Sequence, residues 1–157
     1  MRIPTSHIEP ELEATERYGA ICELLDRLVH AGAIPRKLQP AILDAFLQRE
    51  EIMSTGIGFK LAIPHITSPW VLEPVFAFGR SHTGIDFDSL DGLPVEFVFL
   101  FILPVSGIGE KEQLRFKARV CRSLANRHTQ DELQRCKTAQ DLSAALRSAF
   151  DDDDLLA

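Results

Sequence analysis

The sequence is short of several things. Among 157 residues it has one Trp, one Tyr, two Met and three Cys. Cys22, Cys121 and Cys136 are far apart and form no C-x-x-C pair, which argues against a disulfide framework. They read as buried or half-buried thiols of a reducing compartment. No apolar run reaches the roughly 18 residues a helix needs to cross a bilayer. The first residues, Met1 to His7, lack the apolar stretch of a secretory signal. A cytoplasmic chain with no direct membrane insertion is expected. Excess positive charge is also missing. The formal net charge is −6, which argues against a general nucleic-acid binder, since phosphate contacts need clustered Lys and Arg. No spacing of His, Cys, Asp and Glu supplies the three or four converging ligands of a zinc site. Asp86, Asp88 and Asp91 lack a calcium-loop layout and read as solvated turn residues. No metal and no cofactor are expected.

What is present is an ordinary globular composition, 45% hydrophobic and 25% charged. The length suits a single domain spanning 1–157, with a core of about 8–149 and an acidic tail at 150–157. The charge is uneven. Residues 1–48 balance at −2, 49–104 at −4, 105–149 at +4 and 150–157 at −4. The tail is expected to fray. Lys111, Arg115, Lys117, Arg119 and Arg122 make the third segment basic.

A first helix is expected after Thr15 as N-cap, with Ala20, Ile21, Leu24, Leu25, Leu28 and Val29 at helical spacing and Gly32 as its stop. A second carries Leu38, Ile42, Ala45 and Phe46. Strands are expected at 61–63, 75–78 and 95–103. The last is almost wholly apolar, so it belongs in the centre of a sheet covered on both faces. Asp91-Gly92 marks the turn before it. The C-terminal third is helical, with capping patterns at 129–132 and 138–141. Helices, then strands, then helices suggest a sheet with helices on both faces.

One stretch carries chemistry. From Arg49-Glu50 the chain passes through Ser54-Thr55-Gly56-Ile57-Gly58, a short apolar segment and Pro64, and reaches His65. Two glycines allow close backbone approach and can aim amide N–H groups at an anion. Proline stiffens the support from which His65 projects. An imidazole with an ordinary pKa of about 6.5 is largely neutral at pH 7 and can serve as a nucleophile or an acid–base group. His7, His30 and His128 read as solvated, and His82 as a turn residue.

Arg-Glu-x-x-x-Ser-Thr-Gly-Ile-Gly followed by Ala-Ile-Pro-His resembles the phosphorylation-site signature of the type-2 IIA proteins. These belong to the bacterial phosphoenolpyruvate-dependent sugar phosphotransferase system; the family is the fructose/mannitol one and includes the nitrogen-regulatory IIA protein. Ile85-Asp86-Phe87 with Asp91-Gly92-Leu93-Pro94-Val95, and then Leu103-Pro104, extend the resemblance over about 8–149. It implies an α/β fold, a three-layer α/β/α sandwich with a mixed central sheet flanked by helices. It implies a phosphocarrier that accepts a phosphoryl group on His65 from HPr or an HPr-like paralogue. The group then passes to a IIB component or acts as a regulatory signal. Arg49 matches the arginine of the site. Ser54, Thr55, Gly56 and Gly58 would support the phosphoryl group, the first two as hydroxyl donors. Any IIB or membrane part is expected on another chain. Three departures stand out. Gln113 falls where many members carry a second histidine, and it brings no titratable proton. Phe59-Lys60 replaces the usual Asn-Gly turn. Ile66-Thr67 replaces small and basic residues. These departures motivate an alternative, a regulatory binding module on the IIA fold that is phosphorylated weakly or not at all.

Overall fold

The computed structural model describes the backbone of residues 1–154 and the side chains of residues 1–151. Strand β6 (Val95–Pro104) is its axis. Its side chains alternate across the sheet, as the two-residue period of a strand requires. Val98, Leu100 and Ile102 face one apolar cluster; Phe97, Phe99, Phe101 and Leu103 face the other. Both clusters are buried, so the nearly continuous apolar run is that of a doubly covered strand.

The first cluster is closed by helices α1 (Arg17–His30) and α2 (Gln39–Ile52). The stripe of α1 is Ala20, Ile21, Leu24, Leu25 and Leu28, all buried. Its N-cap is Glu16 rather than Thr15. The Glu16 carboxylate accepts from the amides of Tyr18 and Gly19, two of the donors a helix start leaves open. Gly32, at φ +77°, follows its end. The second cluster is closed by α3 (Glu110–Ala125), α4 (Arg127–Arg135) and α5 (Ala139–Asp154). Asn126, not Thr129, caps α4, its side-chain oxygen accepting from Thr129 N at 3.2 Å. At α5 the 138–141 pattern works as a cap, with Asp141 N donating to Thr138 Oγ1 at 3.1 Å.

The sheet is mixed and has six strands. The others are β1 (Ile8–Glu9), β2 (Gly56–Gly58), β3 (Leu61–Ala62), β4 (His65–Ser68) and β5 (Val75–Ile85). The order is β1-β5-β6-β3-β2, with β4 also on β6. The pair β5·β6 is antiparallel; β3 and β4 run parallel to β6. This is the expected three-layer α/β/α sandwich. Strand β5 runs past the expected end at 78 and takes in His82, which is exposed on the strand rather than in a turn.

The tail boundary needs correction. Phe150 is fully buried, edge-on to Phe99 with centroids 5.9 Å apart, and α5 continues through Asp154. Burying a phenylalanine is worth about 1.5–3 kcal/mol, which places residue 150 in the core rather than in the tail. Residues 155–157 of the expected tail lie outside the described residues. Buried Arg80 ties the same face together. It donates to the carbonyls of Pro10 at 3.1 Å, Leu133 at 2.6 Å and Cys136.

Candidate functional site

His65 stands at a break in one strand. Leu61 and Ala62 lie opposite Phe97 and Val98; His65 to Ser68 lie opposite Phe101 to Pro104, in the same register. Strands β3 and β4 are therefore one parallel strand interrupted at Ile63-Pro64. Pro64 has no N–H to give to a ladder. Its carbonyl still accepts from Phe101 N at 3.1 Å, while Ile63 N turns away to Thr55 O at 3.0 Å. The interruption frees the Ile63 carbonyl, which lies 2.6 Å from His65 Nδ1. A carbonyl only accepts, so Nδ1 carries the hydrogen and Nε2 keeps its lone pair. The half-buried ring lies flat on Phe101, centroids 4.9 Å apart and planes 9° apart. Tautomer and ring plane are both held.

Burial lowers the pKa of His65 from its ordinary 6.5 to about 4. The Ile63 carbonyl pulls it upward, and the nearby cations Lys117 and Arg49 press it further down. At neutral pH the ring is uncharged and its Nε2 lone pair is not protonated.

Arg49 lies in the last turn of α2, where its Nη1 donates to Met53 O at 2.9 Å. The helix end thereby holds its guanidinium stem while the charge still reaches His65. Gln113 sits in the first turn of α3. Its Nε2 is 3.4 Å from Ile108 O, so the amide donates back to its own loop. Among the described residues no hydrogen bond joins it to His65.

Ser54, Thr55, Gly56 and Gly58 are placed otherwise than expected. The Ser54 hydroxyl donates to Phe87 O and accepts from Gly56 N. The Thr55 hydroxyl donates to the buried Glu50 carboxylate, which also receives Thr55 N at 3.2 Å. Neither hydroxyl hydrogen is free for an incoming anion. Gly56 is favoured by crowding, since a Cβ there would stand 3.0 Å from Phe87 Cβ and 3.2 Å from Ser89 Cα. Gly58 has φ +92°, a conformation that side chains disfavour. The Gly-x-Gly turn packs on the 87–92 loop, and Phe59 N donates to Asp91 Oδ2 at 3.2 Å. These four residues build the support of the site.

Two residues were given no role from the sequence. Glu50 joins α1 to the site loop, through Arg17 at 3.8 Å and through Thr55. It stands in the signature beside Arg49, but nothing local shows that it would be buried. Lys117 lies one turn beyond Gln113 on α3, and its charge acts on both His65 and Arg49. The basic balance of 105–149 pointed toward it without singling it out. Cys22, Cys121 and Cys136 are half-buried free thiols, as their spacing suggested. Among the described residues no helix is long and apolar enough to cross a membrane, and no cluster of His, Cys, Asp and Glu could hold a metal.

Comparison with known proteins agrees with this geometry. The family described as phosphoenolpyruvate-dependent sugar phosphotransferase system, EIIA 2, matches residues 2–149. The fructose-specific EIIA component of Haloferax volcanii is 36% identical over 143 residues, 91% of this chain and 90% of that protein. The nitrogen regulatory protein IIA-Ntr of Neisseria meningitidis superposes with a TM-score of 0.80 at 24% identity, covering 92% of this chain and 95% of that one. The Escherichia coli mannitol IIA, in its complex with phosphorylated IIB, superposes with a TM-score of 0.76 at 18% identity, covering 94% and 98%. The chain belongs to the type-2 IIA family of the phosphoenolpyruvate-dependent sugar phosphotransferase system.

Proposed function

We propose that this chain is a phosphoryl carrier, a single IIA unit with His65 as its acceptor. The observation that carries the reading is the state of the imidazole. Nδ1 is held by the Ile63 carbonyl, Nε2 is left with its lone pair, and the ring is kept neutral beside two cations. Nε2 attacks phosphorus as the bond from phosphorus to the donor breaks, and the donor leaves with that electron pair. Transfer of this kind depends mainly on alignment and on neutralising the phosphoryl oxygens. The stacked, tethered ring supplies the first and Arg49 the second. Gln113 sits at the rim, able to turn its amide from Ile108 O toward an oxygen.

The donor is HPr or an HPr-like phosphocarrier, and the recipient a IIB component or a regulatory target. Exposed apolar side chains support a docking role for this end of the sheet. Ile52 and Met53 lie three and four residues after Arg49, Val105 follows β6, and Leu114 neighbours Gln113; all four are more than half exposed. Such side chains beside a basic centre suit a protein partner with an apolar patch and an acidic or phosphorylated centre.

Incubation with phosphoenolpyruvate, enzyme I and HPr should add one acid-labile, base-stable phosphoryl group to wild type and none to His65→Ala. Equal labelling of the two refutes the reading. A protein that takes no label, yet binds its partners alike as wild type and as His65→Ala, is instead the phosphorylation-independent module.

A further inference from the structure

Two cations, Lys117 and Arg49, bear on His65. Lys117 and Arg49 each act on the imidazole, and Arg49 acts on Lys117. Among the described residues no carboxylate forms an ion pair with either one. Like charges brought together cost free energy, and a half-buried position screens them less than open water does. Lys117 registers this cost, its pKa lowered first by burial and then by Arg49.

The side chains of α3 fix where Lys117 stands. Gln113, Phe116 and Lys117 lie at i, i+3 and i+4, on one side of the helix. Phe116 meets Phe101 edge to face, centroids 5.1 Å apart at 82°. Phe101 in turn lies flat beneath His65. The ring chain His65–Phe101–Phe116 thus pins this turn of α3 beside the imidazole, with Lys117 next to Phe116. Gln113 on the same side adds a donor but no charge.

We propose that Lys117 is a second phosphoryl-binding residue, its ammonium and the Arg49 guanidinium holding the oxygens of the group carried on His65. A phosphoryl group at pH 7 carries close to two negative charges. Two cations with no ion-pair partner among the described residues match it, so phosphorylation relieves the repulsion between them. The site then changes from strongly positive to nearly neutral, which would favour a phosphorylated donor before transfer and release it afterwards. This rests on His65 as acceptor, but it is tested separately.

The probe is inorganic phosphate, titrated into the full chain while the His65 ring resonances are followed by NMR. Lys117→Met keeps most of the aliphatic stem and removes the charge; Lys117→Arg keeps the charge. Lys117→Met should weaken phosphate binding about tenfold, the scale of one charge-assisted hydrogen bond. It should also raise the pKa of His65 and lower the equilibrium constant for phosphoryl uptake from HPr by a similar factor. Lys117→Arg should restore most of each. If Lys117→Met fails to fold, Lys117→Gln replaces it with the same expectation. Unchanged phosphate affinity and unchanged His65 pKa in the charge-removed variant overturn the proposal, even if His65 is labelled normally. Weakened phosphate binding in a protein whose His65 takes no label upholds Lys117 as an anion-binding residue and refutes His65 as acceptor.

Discussion

The imidazole of His65 lies parallel to the ring of Phe101, 9° between planes and 4.9 Å between centroids, across a parallel strand pair. Phe101 also meets Phe99 and Phe116, so the imidazole rests on the aromatic layer that fills the α3–α5 side of the sheet. Core and site share one side chain. Phe101→Leu should cost about 1–3 kcal/mol of stability, as a shape change in a close-packed core does. It should also slow phosphoryl uptake more than that loss explains, because the ring plane is no longer held. Urea unfolding and stopped-flow transfer measured on the same preparation separate the two effects. Normal transfer in a destabilised variant would count against the stack as a positioning device.

The depressed pKa of His65 has a consequence for pH. The folded protein holds this ring near pKa 4, the unfolded chain near 6.5. Between those values the unfolded state binds the extra proton, so stability rises with pH there. The contribution is fully present above 6.5 and is lost as pH falls through 6.5 toward 4. It amounts to at most about 3 kcal/mol before solvent screening is discounted. Unfolding of wild type and His65→Gln at pH 7 and pH 5 should therefore differ in pH slope, with the variant flatter. The phosphoryl-acceptor rate should stay level down to about pH 5, where an ordinary histidine is already protonated.

The parts of this fold that could be read in the sequence are those whose cause is local. The apolar run of β6 declares a doubly covered strand by itself. Pro64 before His65 announces a stiff support with no knowledge of its neighbours. Other features depend on partners far along the chain. Strand β4 is the tetrapeptide 65–68, polar but for Ile66, and is a strand because β6 continues the register of β3. The Ser54 and Thr55 hydroxyls looked available until Phe87 O and Glu50 came into reach. The acidic tail was expected to begin at residue 150, but Phe150 itself is buried under Phe99. Lys117 sat among five basic residues on one helix, and only the packing of Phe116 on Phe101 sets it apart.

The hairpin between β2 and β3 holds Phe59 and Lys60 at φ 55° and 62°. Both central residues of this two-residue turn are left-handed, the geometry that Asn-Gly favours. The turn thus keeps that geometry with unfavourable residues. A left-handed non-glycine residue costs about 1–2 kcal/mol, and Asn tolerates the region best. Phe59 is exposed, so replacing it opens no cavity. Phe59→Asn should stabilise the protein by about 0.5–1 kcal/mol, read as a higher urea midpoint with an unchanged slope. A lower midpoint would show that the Phe59 ring makes a contact worth more than the strain.

Glu50 is buried, and it holds Thr55 N and the Thr55 hydroxyl while pairing with Arg17. Glu50→Ala leaves a buried amide and hydroxyl unsatisfied and should cost about 2–4 kcal/mol. Glu50→Gln keeps one acceptor oxygen and should cost roughly half as much. Because Thr55 O receives Ile63 N, a loosened Thr55 also loosens the break that frees the Ile63 carbonyl. The His65 ring signals should broaden or shift in Glu50→Ala. Unperturbed signals would confine Glu50 to stability.

Gln113 is the clearest departure within the family signature. It stands at the start of α3, its amide turned to Ile108 O at 3.4 Å, a long contact that costs little to give up. A histidine at this position would place a second imidazole on the helix side that carries Phe116 and Lys117. That ring could donate to a phosphoryl oxygen and, once protonated, add positive charge to the transferring group. It would titrate beside Arg49 and Lys117, which disfavour its charged form, so the gain should be larger at pH 6 than at pH 8. Gln113→His is expected to speed transfer from HPr several-fold at pH 6 and by less at pH 8, without changing the unfolding midpoint. Stopped-flow rates equal to wild type at both pH values would remove Gln113 from the proposed phosphoryl site.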